Sequence, residues 1–429
     1  MDYTEALNYI SSYDWRGSIP GLERITVLCE LLGNPQDSLK FIHVAGTNGK
    51  GSICAFLSYI LKEAGYKVGL FTSPYIEVFN ERMQVNNRNI PDEELAAIVE
   101  YIKPFADSME DSPTEFELNT AIAFEYFKKE KCDIVILEAG MGGELDSTNV
   151  ISTPELAVFS AIGLDHTQFL GDTIEKITAT KAGIIKEGGK VVLYKPDVPS
   201  VTEIIEERCG QKHARLFISE PEKLERKHAQ GFGQSFSCLW PGDFSIQLTG
   251  NCQLENAAAA LKAVEVLKKS RFRIPDEAVK KGLAETVWPG RFEKLSDAPV
   301  VIVDGAHNPQ GVHGAAGTLK RLYGDKKIIF IFGVLADKDY TRMAADIIPL
   351  AKAVFAVQPE NKRALSAEGL FAYIKEEDPD IISDYFSTIA AASAAALEYA
   401  APDDIICALG SLYMISDVKK AFSELLSGE

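Results

Sequence analysis

The chain has 429 residues, 46% of them hydrophobic, which is enough for roughly two or three domains with substantial cores. Its 62 acidic residues against 44 basic ones give a formal charge of −18. With no dense basic run to make a local exception, this excludes a nucleic-acid-binding or anionic-membrane-binding character for the molecule as a whole. Seven cysteines, an odd number with no CxxC pair, argue against a disulfide framework and against a zinc site. No apolar run approaches membrane-spanning length, and Met1-Asp-Tyr-Thr-Glu5 lacks a basic region followed by an apolar core. The expectation is a cytoplasmic monomer with small-molecule partners and neither nucleic acid nor membrane among them.

Residues 1 to 38 read as helical, with Leu22, Ile25, Leu28 and Leu32 at helical spacing, and close at Gly33-Asn34-Pro35. Phe41-Ile-His-Val-Ala-Gly-Thr-Asn-Gly-Lys-Gly-Ser52 follows, a short apolar strand running into a glycine-rich turn and then a helix whose Ile53, Phe56, Leu57, Ile60 and Leu61 share one face. A strand, a Gly-Lys turn and a helix start form a phosphate cradle, because backbone N–H groups and the helix N-terminus converge on anionic oxygens. Gly46, Thr47, Asn48, Gly49, Gly51 and Ser52 supply that cradle, and Lys50 reaches the terminal phosphates. The usual P-loop pattern is incomplete here. Val44 stands where its first glycine belongs, and Ser52 lies two places after the lysine.

Lys67–Phe71 reads as a second strand, followed by Thr72-Ser-Pro-Tyr-Ile-Glu-Val-Phe-Asn-Glu-Arg82, a long polar and aromatic loop of the kind that usually has a function. Helical periodicity returns at Glu93–Tyr101 and Glu117–Lys129, before the apolar strand that ends at Glu138. Another strand, Leu156–Ser160, leads to Gly163-Leu-Asp-His166 and to a helix that Asp172 or Thr173 caps. Strands alternating with helices imply an α/β fold with a mainly parallel sheet, whose ligands sit beyond the carboxyl ends of the strands. Lys50, Ser73, Glu138 and His166 all fall at those ends. Taken singly, Glu138 or His166 reads more readily as a satisfied polar residue than as a catalytic one. Lys181 shares the apolar face of its helix with Ile177. Such a lysine either snorkels to water or loses its charge by desolvation and becomes able to take up carbon dioxide as a carbamate, an oxygen ligand suited to Mg²⁺.

The stretch from about 190 to 250 reads as strand-rich and irregular, with no chemistry assigned. Asn256 opens an alanine-rich helix, and Pro289-Gly-Arg291 breaks both periodicities like a hinge. A smaller second strand–helix series begins at Val300–Val303, runs into Asp304-Gly-Ala-His-Asn-Pro309, and presents Asp304, His307, Lys338 and Ser411 from its loops.

Together, His43–Ser52, Thr72-Ser-Pro74, Asn80-Glu-Arg82, Gly163–His166, Lys181-Ala-Gly-Ile184, Pro289-Gly-Arg291 and Asp304–Pro309 resemble the motifs of the Mur-ligase-like amide ligases, in particular the folylpolyglutamate and dihydrofolate synthases. The resemblance implies an ATP-binding domain over 1–288, a hinge over 289–295 and a Rossmann-like glutamate-ligase domain over 296–429, with the active site in the cleft between the domains. It implies ligation of L-glutamate to a folate and to dihydropteroate through an acyl phosphate, with release of ADP and phosphate. By the same resemblance, Gly46–Ser52 with Lys50 hold ATP, and Ser73, Glu138, His166 and a carbamylated Lys181 hold Mg²⁺, with two ions expected. Asn256 faces the adenine, Arg291 the phosphates and Asp304 the ribose. Tyr75, Arg82, His307, Lys338 and Ser411 contact the substrates, and Lys50, Lys181, His166 and His307 carry the chemistry. The chain departs from the family pattern at Tyr75, Glu144, Thr180 and Cys252, positions where histidine, arginine, glutamate and histidine are usual. Two other readings stand beside this one: a Mur-type ligase acting on another carboxylate, and a nucleotide-gated binding protein without catalysis.

Overall fold

β1 (Phe41–Ala45) lies inside an eight-stranded sheet, buried along its whole length. Its companions are β2 (Val68–Phe71), β3 (Met83–Val85), β4 (Arg88–Asn89), β5 (Ile134–Glu138), β6 (Leu156–Phe159), β7 (Lys190–Leu193) and β8 (Arg215–Ile218), in the order β4-β3-β2-β5-β1-β6-β7-β8. Pairing is parallel except at β3 and β4, which fold back as an antiparallel edge hairpin that the sequence pattern does not announce. The structure, a computed structural model, describes residues 1–17, 19–228, 231–238, 240 and 242–427.

Near-continuous apolar runs such as Ile134-Val-Ile-Leu137 make strands that are covered on both faces. On one face Phe41, Phe71, Val135 and Leu137 pack with Ile25, Leu28, Leu118, Ile122 and Phe124 from the helices Glu23–Leu31 and Glu115–Lys129. Elsewhere Ala45, Ala157, Phe159, Val191 and Leu193 pack with Ile177, Ile184 and Ile205. The helix Lys50–Glu63 is buried almost all round and lies tightly against the helix Asp276–Glu285. A Cβ on Gly282 would come within 2.5 Å of the Ile60 Cα, so only glycine permits that approach.

One expectation needs correcting. The stretch from 190 to 250 is not simply strand-rich, because Pro199–Gln211 forms a helix between β7 and β8. Val201, Ile205 and Cys209 recur every fourth residue on its buried side, and Pro199 stands in its first turn, where a missing N–H costs nothing. Beyond β8, a small sheet of β9 (Glu225–His228), β10 (Gln234–Ser237) and β11 (Asp243–Ile246) has the order β11-β10-β9.

The chain divides into two compact units. The first comprises Met1–Glu225, Ser237–Phe244 and Glu255–Thr286, and the second Arg226–Phe236, Ser245–Leu254 and Val287–Glu429. In the second, β12 (Glu293–Asp297), β13 (Val300–Val303), β14 (Ile328–Phe332), β15 (Ala351–Val357), β16 (Ile382–Phe386) and β17 (Ile405–Leu409) form a sheet in the order β12-β13-β17-β14-β15-β16. Only β12 runs antiparallel. Since β12 starts at Glu293, the last three residues of the stretch read as a hinge are strand. Among the described residues, no helix is long and apolar enough to cross a membrane.

Candidate active site

The first cluster gathers where β1, β2, β5 and β6 end. Gly46 leaves β1 with φ +144°, and a Cβ there would lie 1.9 Å from the Ser160 Oγ at the end of β6. Gly49 has φ +88°, and its Cβ would meet the Asn256 Oδ1 at 2.4 Å. Both positions therefore require glycine twice over, for conformation and for space. Between them the loop is tied to the segment after β6. Thr47 N and Asn48 N donate to the Ala161 carbonyl at 2.8 and 3.1 Å, Thr47 Oγ1 donates to the Gly163 carbonyl at 3.0 Å, and Gly163 N donates back to Thr47 Oγ1 at 3.1 Å. A glycine turn is thus held rigid before any ligand arrives. The helix Lys50–Glu63 starts immediately after it, with its unpaired N–H groups at the turn.

Lys50 curls back over the turn, donating from Nζ to the Thr47 carbonyl at 3.3 Å and standing 3.9 Å from the Glu138 Oε1. Glu138 is buried at the end of β5, and its Oε2 accepts from Ser73 N at 3.4 Å, which brings the Ser73 hydroxyl's residue to the carboxylate. Lys181 is buried, and its Nζ donates to the Gly46 carbonyl at 2.7 Å. Burial first, and then the Lys50 charge, pull its pKa down to about 7, against smaller opposing effects of Asp165 and Asp146. Of the two readings of this lysine, snorkelling to water does not occur. His166 sits on the tied segment after β6 with φ +49°, its Nε2 4.0 Å from the Asp165 Oδ2. Among the described residues, no three His, Cys, Asp or Glu side chains converge as a metal site. A metal here would have to draw on hydroxyl, lysine-derived or ligand oxygens as well.

The loop from Thr72 to Arg82 is organised by Glu81, whose carboxylate accepts from Ile76 N, Glu77 N and Val78 N at 2.8, 3.0 and 2.9 Å. Asn80 Nδ2 donates to the Ile90 carbonyl and to Asp92 Oδ1, and Asn80 Oδ1 accepts from the Tyr3 hydroxyl. Arg82 lies 5.1 Å from the Tyr75 ring centre and 5.6 Å from that of Phe79. Asn80 and Glu81 thus scaffold the loop, which presents the half-exposed Tyr75 with Arg82 against its ring.

Several contributors escape a reading of the sequence alone. Asp146 is buried and accepts from Met141 N at 2.7 Å and Thr148 N at 3.0 Å, shaping the glycine-rich turn after β5, and burial pushes its carboxyl pKa up. The Asp-Ser-Thr sequence is an Asx-turn signal that could have disclosed it. Ser160 carries no signal beyond its place at a strand end. Asn256, expected at the adenine, is buried with its side-chain amide against the Gly49 backbone.

In the second unit, Asp304 follows β13 and is half-buried, its carboxylate held by the protein's own loop. Its Oδ2 accepts from Phe292 N and its Oδ1 from Ala306 N, both at 2.8 Å. Burial raises its pKa, and the Arg291 charge opposes that rise. Gly305 N donates to the Gly290 carbonyl at 2.8 Å, so the Pro289–Arg291 turn and the Asp304–Asn308 loop are stitched together. His307 Nδ1 is 2.8 Å from the Gly305 carbonyl, and Asn308 Oδ1 caps the helix Pro309–Tyr323. Ser411 is buried, its Oγ accepting from Tyr413 N at 3.3 Å. His307, Ser411 and Lys338 follow β13, β17 and β14, which are neighbours in the sheet, so the three leave one edge side by side.

Residues 44–264 match the Mur ligase middle domain, and residues 290–412 match the Mur ligase glutamate ligase domain. The dihydrofolate synthase/folylpolyglutamate synthase of Bacillus subtilis is 38% identical, with 97% of this chain and 98% of that protein aligned. The folylpolyglutamate synthase of Lacticaseibacillus casei is 36% identical over all of both chains. Among solved structures, E. coli FolC in complex with DHPP and ADP superposes with a TM-score of 0.87 at 29% identity, covering 99% of each chain. The chain belongs to the Mur ligase family, in the group of the folylpolyglutamate and dihydrofolate synthases.

Proposed function

We propose that the chain is an ATP-dependent ligase that joins L-glutamate to a folate and to dihydropteroate, acting as a monomeric cytoplasmic enzyme. The observation that carries this reading is the Lys181–Gly46 contact. A buried lysine with its pKa near 7 is locked onto a glycine-rich phosphate turn, in a chain similar over its full length to folylpolyglutamate synthases.

A carboxylate does not react with an amine directly, so ATP first transfers its γ-phosphoryl group to the acceptor carboxylate. The glutamate amine then attacks the acyl carbon of the acyl phosphate, and phosphate leaves. The backbone N–H groups from Gly46 to Ser52 bind the phosphates, and Lys50 places its ammonium at the transferred group, where charge spreads in the transition state. The residues present fit Mg²⁺ by donor chemistry, since the Ser73 hydroxyl and the Glu138 carboxylate are hard oxygen ligands on residues joined by the Ser73 N–H contact to Glu138 Oε2. Ser73, Glu138, His166 and a carbamylated Lys181 would hold it, and it would neutralise phosphate charge. The neutral Lys181 amine is the form that takes up carbon dioxide, and a pKa of about 7 makes that form abundant at neutral pH.

In the second unit, Arg291 is assigned to the phosphates and Asp304 to the ribose, while His307, Lys338 and Ser411 bind the incoming glutamate. Tyr75 and Arg82 are assigned to the acceptor, for which a stacked aromatic–guanidinium pair suits a flat ring and a carboxylate. Product mass analysis with dihydropteroate and with a reduced folate tests the reading: each acceptor should gain the mass of a glutamyl residue, and an acceptor that gains none is removed from the assignment.

A further inference from the structure

A second cluster lies away from the cradle. A cleft of about 520 Å³ is lined by Asn149, Lys186, Arg208 and Lys212, with Glu144 and Gly183 beside them. Asn149 precedes β6, Lys186 precedes β7 and Lys212 precedes β8, so the cleft opens towards the amino ends of these strands, whereas the cradle stands at their carboxyl ends.

Three cations share this cleft, in a chain with 18 more acidic than basic residues by its formal charge. All three are half-buried, and among the described residues none of them has a carboxylate within ion-pair distance. The Lys186 Nζ donates only to the Asn149 carbonyl, at 3.1 Å. Its pKa is lowered by burial and then by the Lys212 and Arg208 charges, so the three like charges crowd one another. Glu187, which also lines the cleft, is engaged by His213 at 2.8 Å.

A second, independent feature points the same way. Asn149 is 4% exposed, and its Nδ2 donates to the Glu144 and Gly183 carbonyls at 3.0 and 3.3 Å, while its buried Oδ1 has no hydrogen-bond partner among the described residues. A buried acceptor without a donor calls for a partner, and Asn149 is one of the residues that line the cleft.

We infer that the cleft formed by Asn149, Lys186, Arg208 and Lys212 is a binding site for a small oxyanion, a phosphate or a carboxylate, that also carries an O–H or N–H donor. The cations pair with the oxyanion and Asn149 Oδ1 accepts from the donor. Hydrogen phosphate meets both requirements by itself, through its P–O⁻ and P–OH groups. The cleft falls in the size range of small-molecule sites, large enough for an organic phosphate or a dicarboxylate.

Isothermal titration of the full chain, with its nucleotide site first saturated with ADP, tests the inference using inorganic phosphate and malate, a dicarboxylate that carries a hydroxyl donor, as separate probes. At least one should bind with one-to-one stoichiometry, and the probe that binds shows which oxyanion the site takes. R208Q and K212Q should each weaken binding about tenfold, the size of one charge-assisted hydrogen bond, while basal ligase activity stays unchanged. Both side chains are half-exposed helix-end residues, and a thermal melt confirms folding of each variant. Absence of binding by both probes, or undiminished binding in the two variants, overturns the inference. The titration reads binding at a site apart from the reaction, so its outcome is independent of whether the ligase assignment holds.

Discussion

The Lys181 Nζ donates to the Gly46 carbonyl at 2.7 Å across 135 residues of sequence, joining the end of one helix to the turn that leaves β1. The bond fixes the height of the lysine above the phosphate turn and keeps its amine out of water. Lys181→Ala should therefore abolish ligation, and short-chain carboxylates added to that variant should restore part of it by standing in for the carbamate. Activity of the wild-type chain should depend on dissolved carbon dioxide and bicarbonate. Full activity of the alanine variant would remove the carbamate role.

The same burial has a stability consequence with a definite sign. The folded pKa of Lys181, about 7, lies below its ordinary value of 10.5, so between these values the unfolded chain binds more protons than the folded one. The burial cost is full below about pH 7 and fades as pH rises towards 10.5. Lys181→Met should accordingly be inactive yet more stable at pH 7, on the order of 1–2 kcal/mol, with the gain shrinking at alkaline pH. Denaturant titrations at two pH values check this, and a variant equally or less stable at pH 7 contradicts it.

Gly49 leaves no room for a side chain between a φ of +88° and the Asn256 amide at 2.4 Å. Gly49→Ala should cost about 1–3 kcal/mol of local strain and raise the KM for ATP more than it lowers stability of the fold. Nucleotide affinity by calorimetry together with a melting curve separates the two effects.

Glu81 holds three backbone N–H groups of the Thr72–Arg82 loop. Glu81→Ala should release that loop at a cost of about 1–3 kcal/mol, exposing it to limited proteolysis and raising the KM for the folate acceptor while leaving ATP affinity nearly unchanged. Loss of ATP binding instead would mean that the loop supports the cradle rather than the acceptor.

Residues with local roles are legible in the sequence, and residues that act across the fold are not. The cradle can be read because glycines and a lysine set between an apolar run and a helix serve few purposes besides phosphate binding, and Glu138 because it ends a strand of five buried residues. Lys181 stands out through its place on an apolar face. The helix Pro199–Gln211 is hidden because its surface is mostly polar and only Val201, Ile205 and Cys209 report its period. β12 and β16 are hidden because edge strands with one exposed side carry little apolar pattern. Ser160 and Asn256 act through contacts with Gly46 and Gly49 made by segments more than a hundred residues away, so no window of sequence contains both partners.

The central claim, that the cradle drives ligation rather than nucleotide binding alone, is tested most directly by phosphate release from ATP measured with and without each substrate. Release should require a pterin carboxylate and L-glutamate together, with one phosphate for each amide formed. Equal release in the absence of either substrate would contradict it.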